Sequence, residues 1–387
     1  MTTLRMATVV AFVSVILGSS VCVRAQAGTP SDAIAFEREG KYAEAARVWR
    51  EVIKSRPKDA GAFAGLGIDL SKEKKYPEAV SAYETAIALS PKLPGVQLNL
   101  GLAQFKQGHF AAAIPPLRSV VGDDPSNLQA STLLGFSYYG VKRFSEASNY
   151  LAIAAKSDPA NVELHRVLAQ SCLWAKKYAC ALDEFKQLLQ QDPNSVAAHM
   201  LTGEALDGLG RTAGAIDEFQ AAARIAPRES NLHFGLGYLY WKSQRLEDAR
   251  REFVSELALD PNHPQALAYM GDIELKQFNL DRALVWLQKA VRAKKDLRLA
   301  YMDLGKVFTQ QKRYPEAVTA LRRAVELDST QPDAHYQLGR VYQSLGRKQE
   351  SQKEFAKVRE LHEKEDEPLE SKIPAAPTAA TPTPAPQ

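Results

Sequence analysis

Four of the seven histidines share one register. His165, His199 and His233 lie 34 residues apart, and His335 stands three further steps of 34 along the chain. A ladder of imidazoles is metal-binding chemistry when the rings converge. Packed helices, however, run roughly 8–10 Å apart, while zinc needs its nitrogen ligands at roughly 2 Å. Histidines on successive elements therefore reach one ion poorly. The same register holds Phe63, Leu267 and Tyr301, which points to half-buried aromatic filler rather than a metal ladder. Cys172 and Cys180 flank the segment Ala175-Lys176-Lys177. If that segment is a turn between antiparallel helices, the two sulfurs come within reach of a disulfide; two separate thiols are the other reading. No Gly-Lys-Ser/Thr follows Gly65 or Gly67 to cradle a phosphate, no His-Glu-x-x-His occurs, and no Ser/His/Asp or Cys/His set reads as catalytic. The expectation is a chain that is not an enzyme, with no catalytic residue, no cofactor and no metal. Lys and Arg exceed Asp and Glu by 49 − 45 = 4 in 387 residues, too weak a balance to argue for nucleic acid as partner.

The elements that carry these residues follow from self-comparison. At a shift of 34 the chain realigns without a gap. One small-residue register reads Ala33, Gly67, Gly101, Gly135, Ala169, Gly203, Gly237, Gly271, Gly305 and Gly339. Eight of the ten are glycine, where 22 glycines in the chain would place about 0.6 by chance. Twelve residues on, a second small register runs from Ala45 to Ala317 and ends in Ser351. Four further on, a large apolar register reads Trp49, Tyr83, Leu117, Leu151, Phe185, Phe219, Phe253, Leu287, Leu321 and Phe355. Prolines recur at 57, 91, 125, 159, 193, 227 and 261. Within one unit, Ala62–Ile68 has a helical apolar period, Lys74-Lys75 is a polar turn, and Pro77 opens a second helix that Pro91 stops. A lone helix pair cannot bury its apolar face, so neighbours must stack.

These registers resemble the tetratricopeptide repeat (TPR) family. Leu66-Gly67, Tyr76, Ala79, Tyr83, Ala86 and Pro91 carry the resemblance in the second unit, and Leu100-Gly101, Phe110, Ala113, Leu117 and Pro125 in the third. The resemblance implies an all-α fold: a solenoid of tandem antiparallel helix pairs wound into a right-handed superhelix with a concave groove. Ten units beginning near 26, 60, 94, 128, 162, 196, 230, 264, 298 and 332 span residues 26–365. Three departures stand out. Thr29-Pro30 reads as an eroded first helix, ordered only from about Ser31. Lys294-Lys295-Asp296 lacks the proline and is a doubtful junction. The last unit places Lys348 and Ser351 where aromatic and alanine residues are usual, and a polar final helix would shield the open end.

In the family the first helix of each pair lines the concave side. Steps of −3, +1, +4 and +5 from each small-register residue fall on one helical stripe. They give Leu98, Leu102 and Phe105; Phe136 and Tyr139; Leu173 and Trp174; Met200, Glu204 and Asp207; Phe234, Tyr238 and Trp241; then Asp272, Lys276, Lys306, Tyr336 and Arg340. Aromatic residues gathered on an accessible face suit polypeptide recognition, and the alternative is that some of them belong to the core. The residue after the small register is never Asn, so the Lys/Asn carboxylate clamp of some TPR proteins is not expected.

Residues 1–25 have the layout of a secretory signal peptide: Arg5, an apolar Met6–Leu17, and Ala25-Gln26-Ala27 as a cleavage site. The alternative is an uncleaved membrane anchor. Residues 366–387 alternate Pro with Ala and Thr and are expected to be a disordered tail. The sequence thus predicts an exported, periplasmic or extracellular scaffold that binds a protein or peptide partner in the groove. No nucleic acid and no membrane span after cleavage are expected, and a homo-oligomer remains open. A structural component of an envelope assembly and a regulatory subunit of a separately encoded enzyme are the alternatives.

Overall fold

The computed structural model describes residues 28–366; the expected signal peptide (1–25) and nearly all of the expected tail (366–387) lie outside them. The described residues form twenty helices and no strand. The chain divides into two compact units at Ala154/Ala155, within one helix.

The first unit pairs α1 (Pro30–Arg38) with α2 (Tyr42–Ser55), α3 (Ala60–Lys72) with α4 (Tyr76–Leu89), α5 (Val96–Lys106) with α6 (Phe110–Asp123), and α7 (Leu128–Gly140) with α8 (Phe144–Ser157). Thr29-Pro30 does not erode the first of these. Thr29 caps α1: its hydroxyl accepts from Asp32 N at 3.3 Å, Asp32 Oδ2 accepts from Thr29 N at 2.8 Å, and Pro30 fills the first helical position, where no N–H is needed.

The second unit pairs α9 (Val162–Trp174) with α10 (Tyr178–Gln191), α11 (Val196–Gly208) with α12 (Thr212–Ile225), α13 (Leu232–Lys242) with α14 (Leu246–Leu259), α15 (Pro264–Lys276) with α16 (Leu280–Ala293), α17 (Arg298–Gln310) with α18 (Tyr314–Leu327), and α19 (Pro332–Ser344) with α20 (Lys348–Asp366). The junction at Lys294-Lys295-Asp296 is regular. Lys294 (φ −143, ψ 110) leaves α16 in the same extended conformation that Asp260 (φ −125, ψ 95) gives the end of α14 ahead of a proline. Proline pre-sets that conformation but is not required for it.

One turn is used ten times. Gly40, Lys74, Gly108, Lys142, Lys176, Gly210, Gln244, Phe278, Lys312 and Gly346 all have φ between 58 and 75°, and each separates the two helices of a pair. In the second pair Lys75 N donates to Leu70 O at 2.8 Å and Lys74 N to Ser71 O at 3.0 Å, the bond pattern that closes a helix through a left-handed residue.

The small and large registers turn out to be two sides of one contact. A Cβ built on Gly67 would lie 2.5 Å from the Tyr83 ring; on Gly101, 2.5 Å from Leu117 Cγ; on Gly203, 2.6 Å from Phe219; on Gly271, 2.5 Å from Leu287 Cγ. Glycine is there because the large residue sixteen positions on lies across its backbone. Tyr83, Leu117, Phe253 and Leu287 are at most 1% exposed, and burial of each contributes roughly 2–3 kcal/mol.

Candidate functional site

All ten aromatic and apolar residues expected to line the groove lie on first helices, and each keeps part of its surface exposed. Leu173, on the same stripe, is buried at 6%, whereas its neighbour Trp174 is 48% exposed. In the first unit, Leu98, Leu102 and Phe105 stand on α5, Phe136 and Tyr139 on α7. The Phe105 ring lies 5.4 Å from Phe110 and 6.5 Å from Phe136, and Tyr139 meets Phe144 at 6.0 Å. Leu102 also borders a cavity of about 390 Å³ with Lys72, Asn99 and Lys106.

In the second unit, Met200 on α11 and Phe234 and Tyr238 on α13 border a cavity of about 370 Å³, together with Glu204, Asp207 and Asn231. Its shape follows from how α13 begins. Where α9, α11 and α15 start with Asn161, Ser195 and His263 caps, the matching position here is Glu229. The helix instead starts later, after Asn231 in the left-handed region (φ 64), and is 11 residues long rather than 13. Glu256 of α14, 2% exposed, replaces the missing cap by accepting from Asn231 N at 3.2 Å and Phe234 N at 3.0 Å. The His263 ring pins the turn from the other side. Its Nδ1 accepts from Ala266 N, so Nε2–H donates to Asn231 Oδ1 at 3.1 Å.

Beyond the cavity the face becomes a chain of charges and rings. Lys242 Nζ reaches Asp207 Oδ1 at 2.7 Å. Trp241 Nε1 donates to Asp272 Oδ2 at 2.6 Å, and Lys276 Nζ lies 3.0 Å from Asp272 and 4.1 Å over the Trp241 ring. Tyr269 packs among Trp241 (4.9 Å), Tyr238 (5.8 Å) and Phe253 (5.5 Å). Asp303, fully buried, is held by Lys306 at 2.7 Å. Burial pushes its carboxyl up to about 6, against the pull of Lys306. Tyr269 and Asp303 share a register with Asn99 and Gly235, two residues before the small one. The sequence stripe omitted that register, although its free variation among Gly, Asn, Tyr and Asp marks it as facing something other than a uniform core.

The histidine register is neither a metal ladder nor inert filler. His165 Nδ1 lies 2.5 Å from Glu184 Oε2, His199 2.6 Å from Glu218, His233 2.7 Å from Glu252 and His335 2.6 Å from Glu354. Each histidine of a first helix is bonded to the glutamate nineteen residues on, in the second helix of its own pair. The signal was present: Leu267 and Tyr301 face Trp286 and Ala320 at that spacing, and Glu appears there only with His. His199 and His233 also place Nε2 at 3.1 and 2.9 Å from the carbonyls of Pro193 and Pro227, so both ring nitrogens face acceptors. For His233, burial opposes the charged ring, but Glu252, the Pro227 carbonyl and Glu256 outweigh it and its pKa is raised. No group of three or more His, Cys, Asp or Glu among the described residues could hold a metal ion. Cys172 of α9 and Cys180 of α10 are joined, with Cα atoms 5.8 Å apart across the turn.

Comparisons place this arrangement. Tetratricopeptide repeat family models match residues 104–171, 175–230, 234–298 and 332–362, and a TPR repeat model matches 70–108 and 305–346. No curated protein matches the chain. Among solved structures, the Cut9–Hcn1 hetero-tetramer of the APC/C is 14% identical, covers 89% of this chain and 89% of its own, and has a TM-score of 0.51, a likeness of fold. Yeast Tom70 is 15% identical over 89% of this chain and 92% of its own, with a TM-score of 0.43. MamA of MSR-1 is 25% identical over 43% of this chain and 95% of its own, with a TM-score of 0.38. With helix pairs, glycine contacts and repeat matches in one register, the chain belongs to the tetratricopeptide repeat family.

Proposed function

We propose that this protein is a non-enzymatic scaffold that binds a segment of another polypeptide along the exposed face of its first helices. The observation that carries the reading is the half-exposed state of the ten groove residues. Side chains as large as Phe136, Met200, Phe234 and Tyr238 stand on the register that core packing would cover, yet keep solvent contact, and in the second unit they border a cavity. Partly exposed aromatic clusters with polar surroundings are where binding energy concentrates. The reading places the protein outside the cytoplasm. The Cys172–Cys180 bond supports this, since such bonds persist in oxidising compartments. The test is affinity capture from the native cell envelope by wild type and by Phe136→Ala/Tyr238→Ala, with melting temperature as the folding control. Loss of a captured protein by a folded variant supports the groove; an unchanged set of captured proteins rejects it.

A further inference from the structure

The cavity between α11 and α13 has a chemistry of its own. Its walls are apolar, Met200, Phe234 and Tyr238, and its polar rim is carboxylate-rich. Asp207 is already spoken for by Lys242 at 2.7 Å. Glu204 makes no ion pair or hydrogen bond among the described contacts and stands on the exposed side of α11. The lysines further along the first helices are engaged elsewhere. Lys276 is engaged by Asp272 and the Trp241 ring, and Lys306 by Asp303. Asp207, Asp272 and Asp303 are each paired with an ammonium group, Lys242, Lys276 and Lys306, and Glu204 has no such partner. The surrounding protein desolvates it enough to raise its carboxyl above the ordinary range. An unmatched carboxylate beside an apolar, aromatic-walled cavity lacks one thing: a cation on an apolar stem.

We propose that this cavity is the subsite for one Lys or Arg side chain of the bound polypeptide. Its methylenes lie against Met200 and Phe234, its charge pairs with Glu204, and the Tyr238 ring offers its face to the cation. The occupant is a basic residue within an extended segment, not a terminal carboxylate, which the unpaired Glu204 would repel. This inference rests on the groove reading above.

A random 12-residue peptide library displayed on phage, panned on the intact disulfide-bonded protein, tests it. Peptides selected on wild type should share one fixed Lys or Arg. Replacing that residue by norleucine, which keeps a stem and drops the charge, should weaken binding to wild type about tenfold and binding to Glu204→Gln less than about twofold. Glu204→Lys should select Asp or Glu at the same peptide position. Three results overturn the proposal. If selected peptides depend on Tyr238 (lost on Tyr238→Ala) but carry no shared basic residue, the subsite is wrong and the groove stands. If the norleucine penalty is the same on wild type and Glu204→Gln, the cation sits elsewhere. If peptides bind Tyr238→Ala as well as wild type, or none is selected at all, the groove reading falls and this inference with it. Glu204 lies on an exposed helix position, so both of its variants should retain the wild-type melting temperature, which separates misfolding from lost recognition.

Discussion

The contact between the small and large registers makes a quantitative claim, and Gly271→Ala tests it. An alanine Cβ at 271 would sit 2.5 Å from Leu287 Cγ and 2.7 Å from Cδ2, with the Ala283 carbonyl at 3.4 Å. Carbon atoms rest at roughly 3.5–4.0 Å, so α15 and α16 must separate locally by about 1 Å or Leu287 must leave its rotamer. Leu287 is fully buried and meets Gly271 at its branch point rather than at a flexible end. Overpacking of this kind costs about 1–3 kcal/mol, toward the upper end here. Alanine recovers about 1 kcal/mol of helix propensity over glycine, so the net expectation is a loss of about 1–2 kcal/mol. Gly122→Ala is the internal control. It lies in α6 with nothing within 4 Å of its Cβ, so only the propensity gain remains, smaller because it sits in the last turn. Urea titration followed by circular dichroism, with the disulfide intact, reads both. Adding Leu287→Ala to Gly271→Ala should cost less than the two singles together, because the clash disappears with the leucine. If Gly271→Ala were as stable as wild type or more so, the close approach would not be what selects glycine at this register. Ala33 and Ala169, the two positions of this register that carry a Cβ, have an aromatic residue sixteen on, Trp49 and Phe185, and neither has a leucine, which is why a leucine-facing glycine is the sharper choice.

Other expectations follow from single sites. Phe278 sits in the left-handed region (φ 62) and is 78% exposed, so Phe278→Gly removes backbone strain of roughly 1–2 kcal/mol against a lower entropic cost; a net gain of about 0.5–1 kcal/mol should appear as a higher urea midpoint. The Cys172–Cys180 bond closes a short loop. Cys172→Ala/Cys180→Ala should lose roughly 2–3 kcal/mol on the chain-entropy account, and thiol titration of the unfolded, unreduced wild type should find neither sulfur reactive. Stability should also fall as pH rises, for two named groups. Asp69 is fully buried, with neither carboxylate oxygen hydrogen-bonded. Burial, then the charges of Glu37 and Glu73, push it up to about 7, and the Trp49 indole, turned to Glu37 Oε1 at 3.0 Å, offers only a slight counterweight. A group raised on folding contributes stability that is present below its unfolded pKa, near 4 for Asp, and is lost as pH climbs through the folded value. His233, also raised, acts with the same sign above its unfolded pKa of about 6.5. Asp69→Asn should flatten the stability profile between about pH 4 and 7 and His233→Gln above about pH 6.5; parallel profiles for wild type and variants would contradict both assignments.

Much of the architecture could be read from residue types alone because each repeat satisfies the same packing problem. A glycine at 271 and a leucine at 287 are legible as registers, since each is a large deviation from average composition recurring at 34. What the registers did not reveal is that they touch, because a spacing of sixteen spans a turn whose path is set by a backbone conformation, not by a residue type. Only four of the ten left-handed turn positions are glycine; Lys74, Gln244 and Phe278 adopt the same conformation without advertising it. The His–Glu pairs were half legible. Following the histidines alone led to packing, whereas following the register nineteen on would have supplied the partner. The late start of α13 hid for a related reason. Asn231 looks like an ordinary loop residue, and the carboxylate that caps the helix, Glu256, comes from the helix that follows. Thr29-Pro30 reads as an eroded helix because a proline at the first helical position and a break in a helix have the same sequence signature.

Photo-crosslinking in the native cell tests the central claim most directly. A benzoylphenylalanine at Leu102, Met200 or Tyr238, on the first helices, is compared with one at Val254 or Val285, which lie on second helices and are 52% and 53% exposed. The account predicts covalent capture of a discrete polypeptide from the first-helix positions and little from the second-helix ones. Capture confined to Val254 and Val285 would place recognition on the opposite face and contradict it.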